Sequence, residues 1–400
     1  MFTGKYIVCL AGCEWNFTWQ PTQEIMFRLA QAGNYVLYIE PTGTRNVKFS
    51  DWRRVIQRMR TIFTGVSPTS SLPKQLEIYT PFILPFPHLS LARLINRWII
   101  TRKIKGWIDQ KEQAVDILWV YFPSLLNLDL IRASGSHLAV YQIMSSAEAA
   151  RPHPMIVEAN KQLLQNCDFV FANSRSLCNQ ALEINANSHL FRAGVNLELF
   201  DSVSLDANPR PDDLPSVKSP LIGYVGAIHE WVDIDLLTCT AKAMPDCEFV
   251  LLGPIMREIH SLKNLSNIHF LGQKAHKWIP LYVQYFDVCL IPYVQDAYTA
   301  TAYPAKLNEY LALGKPVVAT PLPELFEFNR EFGEVLHLAG DPESFIQAIR
   351  KALVRKTPQV QQRYRDVARK NSWEAKINEM SILLEDCLRV PSLQKKREDD

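Results

Sequence analysis

The sequence predicts an α/β protein built from two Rossmann-like, doubly wound domains that face each other across a cleft. Three observations carry this expectation. Short apolar runs alternate with helical patterns along the whole chain, as parallel α/β units require. Four hundred residues exceed what one hydrophobic core usually supports. A polar, proline-rich stretch at 201–220, with Pro209, Pro211, Pro215 and Pro220, interrupts the alternation and divides it into two similar series.

In the first series the expected strands are 5–11, 35–40, 76–82, 116–121, 137–143 and 168–172, with helices at 21–32, 89–110, 155–166 and 174–184. The second series has strands at 221–226, 248–252, 268–271, 287–292, 316–320 and 335–338. The resulting division is a first domain at 1–195, a linker at 196–220 and a second domain at 221–368. A terminal helix at 369–390 and a charged, disordered tail at 391–400 complete the chain. In such sheets ligands bind outside the carboxyl ends of the strands. The chemistry is therefore expected on the loops after Leu10, Glu40, Tyr121, Ile143, Gly226, Leu252, Leu271 and Pro292.

Composition narrows the class. A net charge of +2 argues against a general nucleic-acid binder. Eight cysteines are scattered without a C-x-x-C spacing, and several sit inside apolar runs, so they read as core residues in a reducing compartment. Met1 to Lys5 lead straight into a strand rather than into a signal-peptide pattern, and no apolar run approaches about 18 residues. The expected location is cytoplasmic, with the option of peripheral attachment to the inner face of the plasma membrane.

The most informative stretch runs from Leu290 to Pro321. A buried strand ends at Pro292, a loop of small residues follows, and a helix is expected from Pro304 to Leu313, closed by Gly314. Leu307, Tyr310 and Leu311 share the core-facing stripe, while Lys306 and Glu309 share another face near the helix start. A diphosphate placed there would meet free backbone N–H groups, the positive end of the helix and the Lys306 ammonium. A carboxylate one turn on can accept from two vicinal ribose hydroxyls. The plain alternative for Lys306 and Glu309 is a surface ion pair worth a few tenths of a kcal/mol.

The run Pro304-Ala305-Lys306-Leu307-Asn308-Glu309-Tyr310-Leu311 through Val318 resembles the donor-site helix of GT-B glycosyltransferases. It is closest to the branch that includes teichuronic-acid and exopolysaccharide glycosyltransferases. Gly223-Tyr224-Val225-Gly226-Ala227-Ile228 resembles that family's first donor-domain strand and glycine turn. Arg192 to Phe200 resembles its interdomain connection, and Asn371-Ser372-Trp373 the start of its terminal helix. The resemblance implies a hexosyltransferase that uses a nucleotide-sugar co-substrate, UDP- or GDP-linked, and no other cofactor. Its acceptor would be a cell-envelope glycan or lipid-linked saccharide. It implies that Glu309 binds the ribose and that Lys306, with the Tyr303-Pro304 backbone, binds the diphosphate. Gly226 and Ala227 would allow close approach to the phosphates, and the 270–274 segment, including Lys274, would border the base. Leu307 belongs to the same donor-binding helix.

The chain departs from the family pattern where retaining members often carry a second glutamate, here Thr301, and where they carry Arg and Lys after the glycine turn, here Ile228 to Asp233. Relatives in this branch also usually have acidic residues just after the Tyr141 strand, where this chain has Gln142 to Ala147 before Glu148. Inverting and retaining transfer both stay open. An inverting reaction needs a general base, for which Glu14 and Glu148 are the candidates, followed by His153. Each has a structural alternative as a cap or a solvated helix residue. Asp233-Ile234-Asp235 reads as a helix cap rather than a metal-binding D-x-D, and no metal is expected. A non-catalytic or epimerase-type nucleotide-sugar-binding protein on the same fold is the alternative function.

Residues 45–105 hold twelve Lys or Arg against Asp51 and Glu77, a local net charge of +10. Apolar residues interleave: Trp52, Val55, Ile56 and Met59, then Leu94, Ile95, Trp98, Ile99 and Trp107. Such basic amphipathic segments suit an anionic membrane surface. The alternative is that the apolar stripes pack on the sheet and the charges keep the surface soluble.

Overall fold

A computed structural model of the chain describes residues 1–16, 19–41, 72–84, 89–146, 149, 153–203, 209–215, 218–354 and 357–388. The chain divides into two compact units: Met1–Ala172 with Cys178–His189 and Ile377–Asp400, and Asn173–Leu177 with Leu190–Lys376. The expected tail at 391–400 lies outside the described residues.

The division corrects the expected boundary. Residues 196–220 do not separate the two units, because both described ends of that stretch are built into the second. Asn196 caps the short helix Leu197–Asp201, whose Phe200 is fully buried. Further along, Asp213 accepts hydrogen bonds from Lys274 and Tyr282. Proline content marked an irregular path, not a free connector. The terminal helix, Trp373–Leu388, begins in the second unit and is counted in the first from Ile377 onward.

The first unit holds a seven-stranded sheet: β1 (Tyr6–Leu10), β2 (Tyr35–Ile39), β3 (Leu76–Tyr79), β4 (Ile117–Val120), β5 (Leu138–Ile143), β6 (Phe169–Ala172) and β7 (Ser188–Leu190). Its order is β3-β2-β1-β4-β5-β6-β7, and the neighbours from β3 to β6 pair in parallel. Parallel strands covered on both faces need apolar residues at every position, and β4, β5 and β6 are buried throughout. Strand β7, Ser-His-Leu, is too short to show a period and was not expected from the sequence. Strand β3 stops at Tyr79 rather than continuing to residue 82; Pro81, just beyond it, has no N–H to offer a ladder.

The second unit repeats the plan with β8 (Leu221–Val225), β9 (Glu248–Leu252), β10 (Ile268–Gly272), β11 (Val288–Ile291), β12 (Val317–Ala319) and β13 (Leu336–Leu338). The order is β10-β9-β8-β11-β12-β13, all parallel. One device recurs in both sheets. An aspartate just before the strand that follows the reversal accepts the first backbone N–H of the central strand. Asp116 takes Tyr6 N at 2.7 Å, and Asp287 takes Leu221 N at 2.8 Å. Each carboxylate fixes the register at the reversal, and so fixes which loops meet there.

Six cysteines, including Cys9 and Cys289 on the central strands, are buried, as expected of core residues, whereas Cys239 is exposed. Among the described residues no helix is long and apolar enough to cross a membrane.

Candidate functional site

In the second sheet the strand order reverses between β8 and β11, so the carboxyl ends of these two strands form its switch point. Gly226 follows β8 and Tyr293 lies just beyond β11. Gly226 has φ +138°, and Gly253, at the end of β9, has φ +150°, backbone open to glycine alone. The two turns pack against each other. A Cβ on Gly253 would meet the Gly226 carbonyl oxygen at 2.0 Å, and one on Gly226 would come 2.9 Å from Lys306 Nζ. The ammonium therefore stands directly over the glycine turn. The Ala227 N–H beside it has no hydrogen-bond partner among the described residues.

Lys306 is held there by two tyrosines. Its Nζ donates to the Tyr293 hydroxyl at 2.5 Å and lies 4.7 and 4.8 Å from the ring centroids of Tyr224 and Tyr293. Cation–π contact fixes an ammonium without neutralising it, so the charge remains available to an anion. The Tyr224 hydroxyl in turn donates to the Ala227 carbonyl at 3.0 Å, tying the turn to the strand. Burial pushes the Tyr224 hydroxyl well above its ordinary pKa, and the neighbouring Tyr293 adds to the rise. It stays a neutral donor. Neither tyrosine was singled out from sequence, although Tyr293 directly follows the strand-ending Pro292.

Glu309 lies three residues on from Lys306, half-buried, with Oε1 2.8 Å from His276 Nε2. A carboxylate only accepts, so the ring nitrogen donates and orients it. Oε2 has no partner among the described residues. Glu309 is thus neither the partner of Lys306 nor capped by its own helix. The alternative, a surface ion pair between them, is not among the described contacts, and His276, unmarked by any motif, is a further residue that sequence reasoning missed.

The helix itself is shorter than expected. It spans Lys306–Ala312, because Ala305 is its N-cap and Leu307 N already turns back to Pro304 O at 3.0 Å. Seven residues make a weak dipole with few open amides, so the positive charge of this corner comes from Lys306 beside the glycine turn. Leu307 is fully buried and acts through packing. Tyr303 is also buried, its hydroxyl accepting from Asn308 Nδ2 at 2.8 Å. Asn308 donates as well to Ala193 O at 2.8 Å, which fixes the helix against the 190–195 segment. Lys274 is engaged by Asp213 at 2.6 Å and lies 5.3 Å over the Tyr282 ring. Burial opposes the Asp213 carboxylate, but hydrogen bonds from Lys274 and Tyr282 outweigh it and hold the group below its ordinary range.

The 228–233 loop, where the family pattern differs, is tightly held. Val232 bridges Tyr293, Val294 N donates to Trp231 O at 2.9 Å, and Arg257 donates to the Glu230 and Val232 carbonyls. His229 stacks on Trp231 at 4.1 Å and Trp231 on Tyr298 at 6.1 Å, placing aromatic rings where the family pattern carries cations. Thr301 is buried and donates to Tyr298 O at 2.9 Å. Asp233 caps the helix Ile234–Ala243, accepting from Leu236 N at 2.9 Å, the role the sequence suggested.

Of the proposed bases, Glu14 is exposed in the turn after β1, its carbonyl accepting from Gln23. Glu148 lies outside the described residues. His153 caps the helix Pro154–Asn166, accepting from Met155 N at 3.3 Å.

Known proteins give this geometry a context. Residues 219–355, all within the second unit, match the family described as Glycosyl transferases group 1. A Bacillus subtilis (strain 168) protein named as a teichuronic acid biosynthesis glycosyltransferase, TuaH, is 27% identical over 277 residues, 64% of this chain and 68% of its own length. Sucrose-phosphate synthase from Thermosynechococcus elongatus has a similar structure, with TM-score 0.70 and 17% identity over 96% of this chain and 98% of that one. Anabaena HepE in complex with UDP and glucose is similar at TM-score 0.64 and 14% identity, covering 96% of this chain and 99% of HepE. At these identities the structures establish the fold, which is GT-B.

Proposed function

We propose that the chain, which has the GT-B fold and is similar to Glycosyl transferases group 1 over residues 219–355, transfers a sugar from a nucleotide-diphosphate donor, UDP- or GDP-linked, without a metal ion. The observation that carries this reading is Lys306 Nζ standing over the Gly226 turn, with Glu309 one turn along and oriented by His276. In this reading the ammonium and the Ala227 N–H receive the diphosphate. The Glu309 carboxylate accepts from the ribose hydroxyls, and the lysine supplies the positive charge that a metal would otherwise bring to the departing diphosphate. The Tyr303-Pro304 backbone borders the same corner, with Lys274 toward the base.

The acceptor in this reading is a cell-envelope glycan or lipid-linked saccharide, by likeness to a relative named for teichuronic acid biosynthesis. Glu14 and Glu148 are the bases open to an inverting reaction. The protein would work in the cytoplasm, held peripherally on the plasma membrane. A second reading, a nucleotide-sugar binder without turnover, draws on Thr301, whose hydroxyl is committed to Tyr298 O.

Thermal denaturation against a panel of UDP-, GDP- and ADP-sugars tests the donor site. A ligand at 100 times its Kd stabilises the folded state by about 2.7 kcal/mol, so at least one should raise the melting temperature of the wild type by roughly 5 °C. Glu309→Ala should cut the rise to about half or less. A panel without effect on the wild type, or an equal shift in the variant, contradicts the reading.

A further inference from the structure

The helix Ser90–Asp109 of the first unit carries two apolar faces where a surface helix needs one. The inner face, with Ala92, Ile100, Ile104, Trp107 and Ile108, is buried. The outer face repeats the helical spacing with Leu91, Leu94, Ile95 and Trp98, which are 70, 50, 37 and 61% exposed. Nearby Leu89 and Phe82 are 50 and 69% exposed. Single exposed leucines are ordinary, but a contiguous stripe at helical period marks a surface that is covered in use. Periodicity alone had left open whether Leu94, Ile95 and Trp98 packed on the sheet. They do not.

Charge says what covers the stripe. Arg93 is paired with Asp129 at 2.9 Å and Lys103 with Glu77 at 2.5 Å. Arg97, Arg102 and Lys105 have no carboxylate partner among the described residues. The Arg102 guanidinium rests 5.6 Å over the Trp98 ring centroid. Beside Trp98 opens a depression of about 680 Å³, lined by Leu94, Ile95, Ala133, Thr101, Arg97 and Lys105. The Thr101 hydroxyl is buried and has no hydrogen-bond partner. Apolar side chains beside two cations free of carboxylates among the described residues form a surface for an amphiphile with an anionic head.

We propose that this face docks on an anionic phospholipid bilayer, with Leu91, Leu94 and Trp98 seated at the boundary between headgroups and acyl chains. A lipid phosphate is then received by Arg97 and Lys105. A tryptophan flanked by arginine suits that boundary, where one end of the ring is apolar and the other wet. The proposal deepens the reading of a membrane-held transferase but is independent of the donor site in the second unit. It also differs from the expectation for the whole 45–105 segment, since residues 42–71 lie outside the described residues and none of them is used here.

Flotation of the full chain with vesicles tests it. Binding is expected to phosphatidylcholine vesicles containing 30% phosphatidylglycerol and not to phosphatidylcholine alone. Each cation near such a surface is worth about a fivefold change in partitioning, so Arg97→Ala with Lys105→Ala should weaken binding roughly twentyfold. Trp98→Ser should weaken it further, and persistently at high salt, where charge is screened. All three substituted positions are on the outer face, so the variants should keep the wild-type melting temperature and its response to nucleotide sugar. Three results would overturn the proposal: vesicle binding unchanged in these variants, binding lost only when Arg53, Arg54, Arg58 and Arg60 are reversed to glutamate, or self-association of the wild type that Trp98→Ser abolishes. If no nucleotide sugar shifts the wild type while vesicle binding behaves as expected, the donor reading fails and the docking face stands.

Discussion

Lys306→Met should lower kcat by roughly 100- to 1,000-fold, the range found when one preorganised donor is removed from a developing negative charge. Methionine keeps most of the stem that packs between the Tyr224 and Tyr293 rings, so the loss is one of charge rather than of volume. The ammonium acts most strongly where charge accumulates on the departing diphosphate, so kcat should fall more than KM rises. The Tyr293 hydroxyl, on a residue only 8% exposed, is left without its donor. Steady-state kinetics with the donor identified by thermal shift checks the split. A variant that raises KM and leaves kcat untouched would mean that Lys306 holds the ground state only.

Arg192→Met should destabilise the second unit by about 3–5 kcal/mol, the usual cost of breaking a buried ion pair from one side. Arg192 and Glu324 have side chains only 4 and 2% exposed, and their contact is 2.5 Å. Arg192 also reaches Glu331 at 2.6 Å, and Glu324 accepts from Arg175 N at 2.8 Å. Removing the guanidinium leaves the Glu324 carboxylate buried against a single backbone N–H. The pair ties the segment entering the second unit to the helix Pro323–Phe332. Urea denaturation should show the midpoint falling with little change in slope. Adding Glu324→Gln should restore part of the loss, because the uncompensated charge is gone.

Much of the fold could be read from sequence because parallel strands buried on both faces write themselves as unbroken apolar runs. The runs around Val8, Val140, Leu251 and Leu290 all became central strands. What stayed hidden has physical reasons. Strand β7 is too short to carry a period, and the proline-rich stretch was misread because proline reports backbone angle, not distance from a core. In the candidate site, Lys306 and Glu309 were singled out by their spacing on one helix together with the resemblance to a GT-B donor helix. Tyr224, Tyr293 and His276 were not, because they arrive from β8, β11 and the loop after β10, and only the strand order brings them to one corner. His276 is the clearest case: nothing in Gln273-Lys274-Ala275-His276 signals that its ring meets a carboxylate 33 residues away.

The proposed donor site stands on a ribose held by the Glu309 carboxylate. Isothermal titration of the preferred nucleoside diphosphate against its 2′-deoxy analogue, on wild type and Glu309→Ala, measures it directly. A hydrogen bond to a charged group contributes about 1.5–3 kcal/mol, so the wild type should bind the ribonucleotide roughly 10- to 100-fold more tightly, and the variant should bind both equally. A variant that keeps the full preference for the ribonucleotide would show that the hydroxyls are recognised elsewhere, and the account of the site would fail.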